Sequence, residues 1–305
     1  MLDEPLSEGA TMNEDQRGAV VVGISSEIEG APELDWAARE AAIRGRSLHI
    51  VRALDPKSWR QVWDGAPPDR DLVDEVRRHL DEDVGRAVRY ARSRWPELLV
   101  WGEVVDGVAW DVLRAASTTA ELTVVGSRRL NALGCAVLGS VSTVVAAGAA
   151  GPVVVVGTPT GATAAPGEVV VGVDGGHDSE AVLSFAFDYA SRHRRPLRAV
   201  YCWSPDLLAS MQWRVSPPPP ARAERWLAEA VSGWADKYPD VVRNQVVRRG
   251  HVITSLVEQS EGQDLLVVGS HNRHARVASL LGSVSQGVLH HARCPVAVVH
   301  EQRSS

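Results

Sequence analysis

The sequence predicts two tandem α/β domains, each a doubly wound, flavodoxin-like or Rossmann-like five-stranded parallel sheet with helices on both faces. Three observations carry that expectation. The first is an internal repeat, the feature that decides architecture before any local pattern. Residues from Ala19 align without a gap on residues from Glu168 at an offset of 149, so that Gly23 meets Gly172, Val51 meets Val200 and Pro56 meets Pro205. From Glu121 onward the offset is 143: Gly126 meets Gly269, Gly139 meets Gly282 and Pro152 meets Pro295. The second is alternation of short apolar runs with longer amphipathic ones, the pattern of strand–helix–strand units. The third is that the apolar runs lack a polar alternate, which marks strands covered on both faces.

In chain order the first copy places strands at 19–24, 48–54, 98–105, 122–126 and 153–156, rich in Val, Leu and Ile. Helices are expected at 32–44, 69–94, 109–117 and 141–148. In the first of these Leu34, Ala37, Ala38, Ala41 and Ala42 fall on one stripe. The second copy repeats the scheme, with strands near 169–173, 197–203, 241–247, 265–269 and 296–300. The expected boundaries are a disordered acidic tail over 1–18, domain 1 over 19–157, a Gly-, Pro- and Thr-rich linker over 158–167, and domain 2 over 168–301.

Composition narrows the function. A net charge of −6 argues against nonspecific nucleic-acid binding. Cys135, Cys202 and Cys294 are widely spaced and odd in number, which suits a reducing cytoplasm rather than a disulfide framework. No apolar run approaches the ~18 residues of a membrane span, and the first residues lack the apolar core of a signal peptide. In an open sheet of this class a ligand sits beyond the carboxyl ends of the strands where their order reverses. That places the pocket between Ser25 and Ser26 on one side and Gly126 on the other in the first copy, and between Asp174 to Gly176 and Gly269 in the second.

The strand-4 segments are VVGSRRLNALGCAVLGSVS, ending at Ser142, and VVGSHNRHARVASLLGSVS, ending at Ser285. With the VVVG strand openings and the Gly-Pro-Val and Cys-Pro-Val last strands, they resemble the universal stress protein family from Ala19 to His300. Nucleotide-binding members carry Gly, two residues, Gly, nine residues, then Gly-Ser or Gly-Thr. Here Gly126 with Gly139-Ser140, and Gly269 with Gly282-Ser283, keep the spacing, but Arg129 and Asn272 stand at the middle glycine. Asn tolerates positive φ better than most residues; an Arg there either clamps a phosphate or fills the loop.

The resemblance implies an adenine nucleotide, ATP with or without Mg2+, bound by Asp174, Gly175, Cys202, Val268, Gly269, His271, Asn272, Gly282, Ser283, Val284 and Ser285 in domain 2. In domain 1 it implies Gly126, Arg128, Arg129, Gly139, Ser140, Val141 and Ser142. Ser25 replaces the strand-1 Asp, so domain 2 is closer to the pattern. Structural alternatives stand beside each role: the serines as helix caps, Asp174 as a turn residue, and His290 and His291 as charges suited to a helix C-terminus. The zinc-like reading of His271 and His274 lacks a further ligand at metal spacing. Trp59, Trp63 and Trp213 fall in Pro- and Gly-bearing segments that cover the pocket, form a partner surface or fold onto the core. The resemblance further implies a stress regulator rather than a catalyst, with the last strand of each domain pairing with a partner domain. That partner is the other half of the chain, as an internal pseudo-dimer, or a second chain. The alternative is a nucleotide-free interaction protein.

Overall fold

The computed structural model describes residues 17–25, 30–55, 70–127, 139–157, 167–174, 179–203, 220–270 and 281–300. The first half contains β1 (Val20–Gly23), α1 (Pro32–Arg44), β2 (Leu48–Leu54), α2 (Arg70–Arg94), β3 (Val100–Asp106), α3 (Ala109–Ala116), β4 (Leu122–Gly126), α4 (Ser140–Gly148) and β5 (Val153–Val156). The second contains β6 (Val169–Val173), α5 (Ser179–His193), β7 (Leu197–Trp203), α6 (Pro220–Lys237), β8 (Arg243–Arg249), α7 (Val252–Ser260), β9 (Leu265–Gly269), α8 (Ser283–His291) and β10 (Val296–Val299).

The ten strands of the described residues form one sheet in the order β3-β2-β1-β4-β5-β10-β9-β6-β7-β8. Pairing is parallel within each half, and β5 meets β10 antiparallel with Val154 opposite Ala297. Successive residues of a strand point to opposite faces, and both faces are filled. Val20, Val22 and Val124 pack under α1, whereas Val21 and Val125 pack with Val112 of α3 and Val145 of α4. The same split recurs in β6, where Val169 and Val171 join the first cluster and Val170 the second. The central strands are therefore almost solid valine and leucine.

The edge strands differ. β8 runs over Arg243–Arg249 rather than the expected 241–247, and most of its side chains are exposed. Val241 is buried but lies in the turn before the strand, its N–H donating to the Tyr238 carbonyl at 3.2 Å. At a sheet edge the limits of a strand follow hydrogen bonds to its one neighbour, not apolar content. Similarly β3 begins at Val100, two residues after the expected 98. At the amino end, Arg17 and Gly18 form a turn rather than tail, with Gly18 N–H donating to the Thr119 carbonyl at 2.8 Å.

The two halves also meet through α1 and α5. Trp36 stacks on Tyr189 with centroids 6.3 Å apart. Beside that pair, Glu40 is 1 % exposed and its carboxylate lies 2.7 Å from His193 Nε2. Arg44 binds the same carboxylate and reaches Glu121 at 3.0 Å and Asp188 at 3.5 Å. Burial opposes the charge on Glu40, but the His193 hydrogen bond and the charges of Arg44 and His193 outweigh it and hold the carboxyl below its usual range.

Candidate functional site

The strand order reverses between β1 and β4 in the first half and between β6 and β9 in the second, and in open α/β sheets the ligand crevice lies beyond the carboxyl ends of the strands at such a point. Gly126 and Gly269 end β4 and β9 there. In each half the loop that leaves the glycine returns to a Gly-Ser helix start. Ser142 Oγ donates to the Gly126 carbonyl at 2.7 Å, and Ser285 Oγ donates to the Gly269 carbonyl. Both serines are 3 % exposed. Their hydroxyls clasp the two ends of the loop, a role distinct from both capping and phosphate donation. In the second half Ser270 N–H also donates to Val299 and Gly282 N–H to Ser270, at 2.9 and 3.1 Å.

Gly139 and Gly282 are the N-caps of α4 and α8, with φ −64° and −59°. These are ordinary angles, so neither glycine is needed for backbone conformation. A Cβ on Gly139 would meet only Ser142 Oγ, at 3.8 Å. The glycine N-caps give neither helix a side-chain cap, and neither first turn contains an acid. A helix leaves its first N–H groups without intrahelical partners. Here Ser140 and Ser283, both exposed, begin that turn.

The remaining predicted residues fall into three groups. Asp174 is exposed just beyond β6, where Ser179 Oγ donates to it at 3.3 Å. Val268 is buried under α8 in the second core cluster, with Val284 and Cys202 against its edge and Val141 at the matching place in the first half. Burial pushes the Cys202 thiol up and drives that of Cys294 up to about 12, so both are poor nucleophiles at neutral pH. Gly175, Arg128, Arg129, His271 and Asn272 lie outside the described residues, as do Ser26, Cys135, His274, Trp59, Trp63 and Trp213.

Sequence reasoning missed two charged residues in the first crevice. Glu33, in the first turn of α1, is 9 % exposed. Its carboxyl atoms would lie 2.8–3.0 Å from a Cβ placed on Gly126. Arg52 of β2 donates from Nη1 to the Ile24 carbonyl at 2.8 Å, at the end of β1. At the offset of the repeat their counterparts are Val182 and Tyr201, a difference visible once the copies are aligned. A cavity of about 540 Å³ lies elsewhere, at the opposite end of the first half, between the carboxyl ends of α1 and α2; Arg46, Arg94, Trp95 and Leu99 line it. Among the described residues no group of three or more His, Cys, Asp or Glu is placed to hold a metal ion, and no helix is long and apolar enough to cross a membrane.

Known proteins place this architecture. The chain is 34% identical over 287 residues to universal stress protein Rv2623 of Mycobacterium tuberculosis, covering 92% of this chain and 96% of that protein. It is 33% identical over 293 residues to universal stress protein Rv2005c of the same organism, covering 92% and 97%. In fold it matches the crystal structure of a universal stress protein from Archaeoglobus fulgidus, with a TM-score of 0.70 at 14% identity over 95% of this chain and 99% of that one. The model of the universal stress protein family matches twice in tandem, over residues 17–157 and 167–300, and the chain accordingly belongs to that family.

Proposed function

We propose that the chain is a stress-response regulator that binds an adenine nucleotide, ATP, at the β6/β9 crevice of its second domain. It acts by occupancy rather than by catalysis. The observation that carries this reading is the start of α8 beside Gly269. Three features coincide there: an uncapped helix N-terminus, a first turn without a carboxylate, and a loop tied down at both ends by Ser285 and Gly282. Free N–H groups and the positive helix end favour an anion at that point. The phosphates are assigned to Gly269, Gly282, Ser283 and Val284 through backbone N–H groups, with His271 and Asn272 proposed as further contacts. Asp174 and Gly175, at the end of β6, are assigned to the ribose side, and Cys202, at the end of β7, to the base. Mg2+ would accompany the phosphates rather than require a protein ligand cluster.

The proposed working unit is the whole chain, with domains over 19–157 and 168–301 acting as an internal pseudo-dimer. Its support is the antiparallel β5–β10 pairing together with the α1–α5 contact. Mass spectrometry of the denatured, freshly purified protein, followed by calorimetric titration of the stripped protein with ATP, tests the binding. The expected result is a retained adenine nucleotide or saturable ATP binding. Neither being found would overturn the reading in favour of a nucleotide-free scaffold.

A further inference from the structure

The copies differ in the side chain that faces the glycine ending strand 4. In the first half the carboxylate of Glu33 is pressed against the backbone of Gly126, within 2.8–3.0 Å of the place a Cβ would occupy. In the second half the residue at the same point is Val182, whose Cγ2 would sit 3.4 Å from a Cβ on Gly269. The α4 helix that begins at Ser140 is as open as α8: uncapped, and with no acid in its first turn. The helix start is thus alike in both halves, and in the first half a carboxylate, that of Glu33, lies against the strand-4 glycine beside it.

We infer that Glu33 is a specificity-determining residue that excludes polyphosphate from the first crevice, leaving the chain with one nucleotide site instead of two. This rests on the nucleotide reading above. The physical ground is like-charge repulsion between a phosphate and a carboxylate that is only 9 % exposed, where water screens poorly. Glu33 also stabilises the N-terminus of α1, where negative charge is favourable. That role and the exclusion act together, since the group is fixed in place by the helix whose dipole it complements. Arg52, at the neighbouring end of β1, stays behind when Glu33 is replaced and would then favour phosphate rather than oppose it.

The test is ATP titration of full-length chains by calorimetry, with thermal melting to confirm folding. Wild type should bind one ATP per chain. Glu33→Val, which copies the second half, should bind two, and the near-isosteric Glu33→Gln should show the second site as well. Val182→Glu should weaken the remaining site by about tenfold or more. Two sites in wild type, or one site in all of the Glu33 variants, would overturn the exclusion while leaving the nucleotide reading intact. No ATP binding by any of the chains would sink the nucleotide reading instead. Inorganic triphosphate, titrated in parallel, then decides the role of Glu33 by itself. Binding gained by both Glu33 variants over wild type upholds it, and equal binding refutes it.

Discussion

At Gly126 a single hydrogen stands where a methyl group would strike a carboxylate. Gly126→Ala is therefore expected to destabilise the protein by about 1–3 kcal/mol, the ordinary cost of overpacking, because Glu33 has to move out of a position held by α1. Gly269→Ala meets only Val182 Cγ2 at 3.4 Å and should cost less than about 1 kcal/mol. Urea denaturation of the two variants checks the ordering. This pair also shows how far the site was legible. The glycine spacing identified Gly126, Gly139, Gly269 and Gly282 from sequence. Their reasons were not legible: both N-cap glycines have ordinary φ, and Gly126 is small because another side chain leans on it. Glu33 was hidden because its place in a first helical turn explains a Glu adequately without any reference to strand 4.

Between elements, the two copies end their first helices in the same left-handed turn with different residues. Gly45 closes α1 at φ 63°, and Arg194, at the same place in the repeat, closes α5 at φ 52°. The hydrogen bonds match: Arg46 N–H to the Ala41 carbonyl at 2.9 Å, and Arg195 N–H to the Ala190 carbonyl at 2.8 Å. A left-handed conformation costs a non-glycine residue roughly 1–2 kcal/mol. Arg194→Gly should accordingly raise stability by about 1 kcal/mol and Gly45→Arg should lower it by a similar amount, both readable as shifts in denaturation midpoint. The central strands were legible because burial on both faces leaves them no polar residue. Helix α1 matched its expected limits, 32–44, because Pro32 opens it and Gly45 closes it. The edge strands β3 and β8 slid by about two residues because exposed ladders carry no apolar signature.

Across the whole molecule the Glu40 cluster ties α1 to α5, and nothing in the local pattern distinguished Glu40 from a solvated helix position. Its folded carboxyl is held below the ordinary value of 4.5. The stability it contributes is thus fully present above about pH 4.5 and is lost as pH falls through the depressed value. Glu40→Gln should remove that acid-sensitive component and, by taking the anion from His193 while Arg44 keeps Glu121 and Asp188, cost about 1–3 kcal/mol at neutral pH. Denaturant titrations of wild type and variant from pH 7 down to about pH 3 check both the loss and its pH window. The antiparallel seam between β5 and β10 has a different consequence. Every strand of the first half points one way and every strand of the second half the other, so the two crevices look out from opposite rims of the sheet. One small molecule cannot bridge them. The chain therefore has a front and a back: a rim that carries the Glu33 carboxylate and a rim bordered by the exposed Asp174, facing opposite ways.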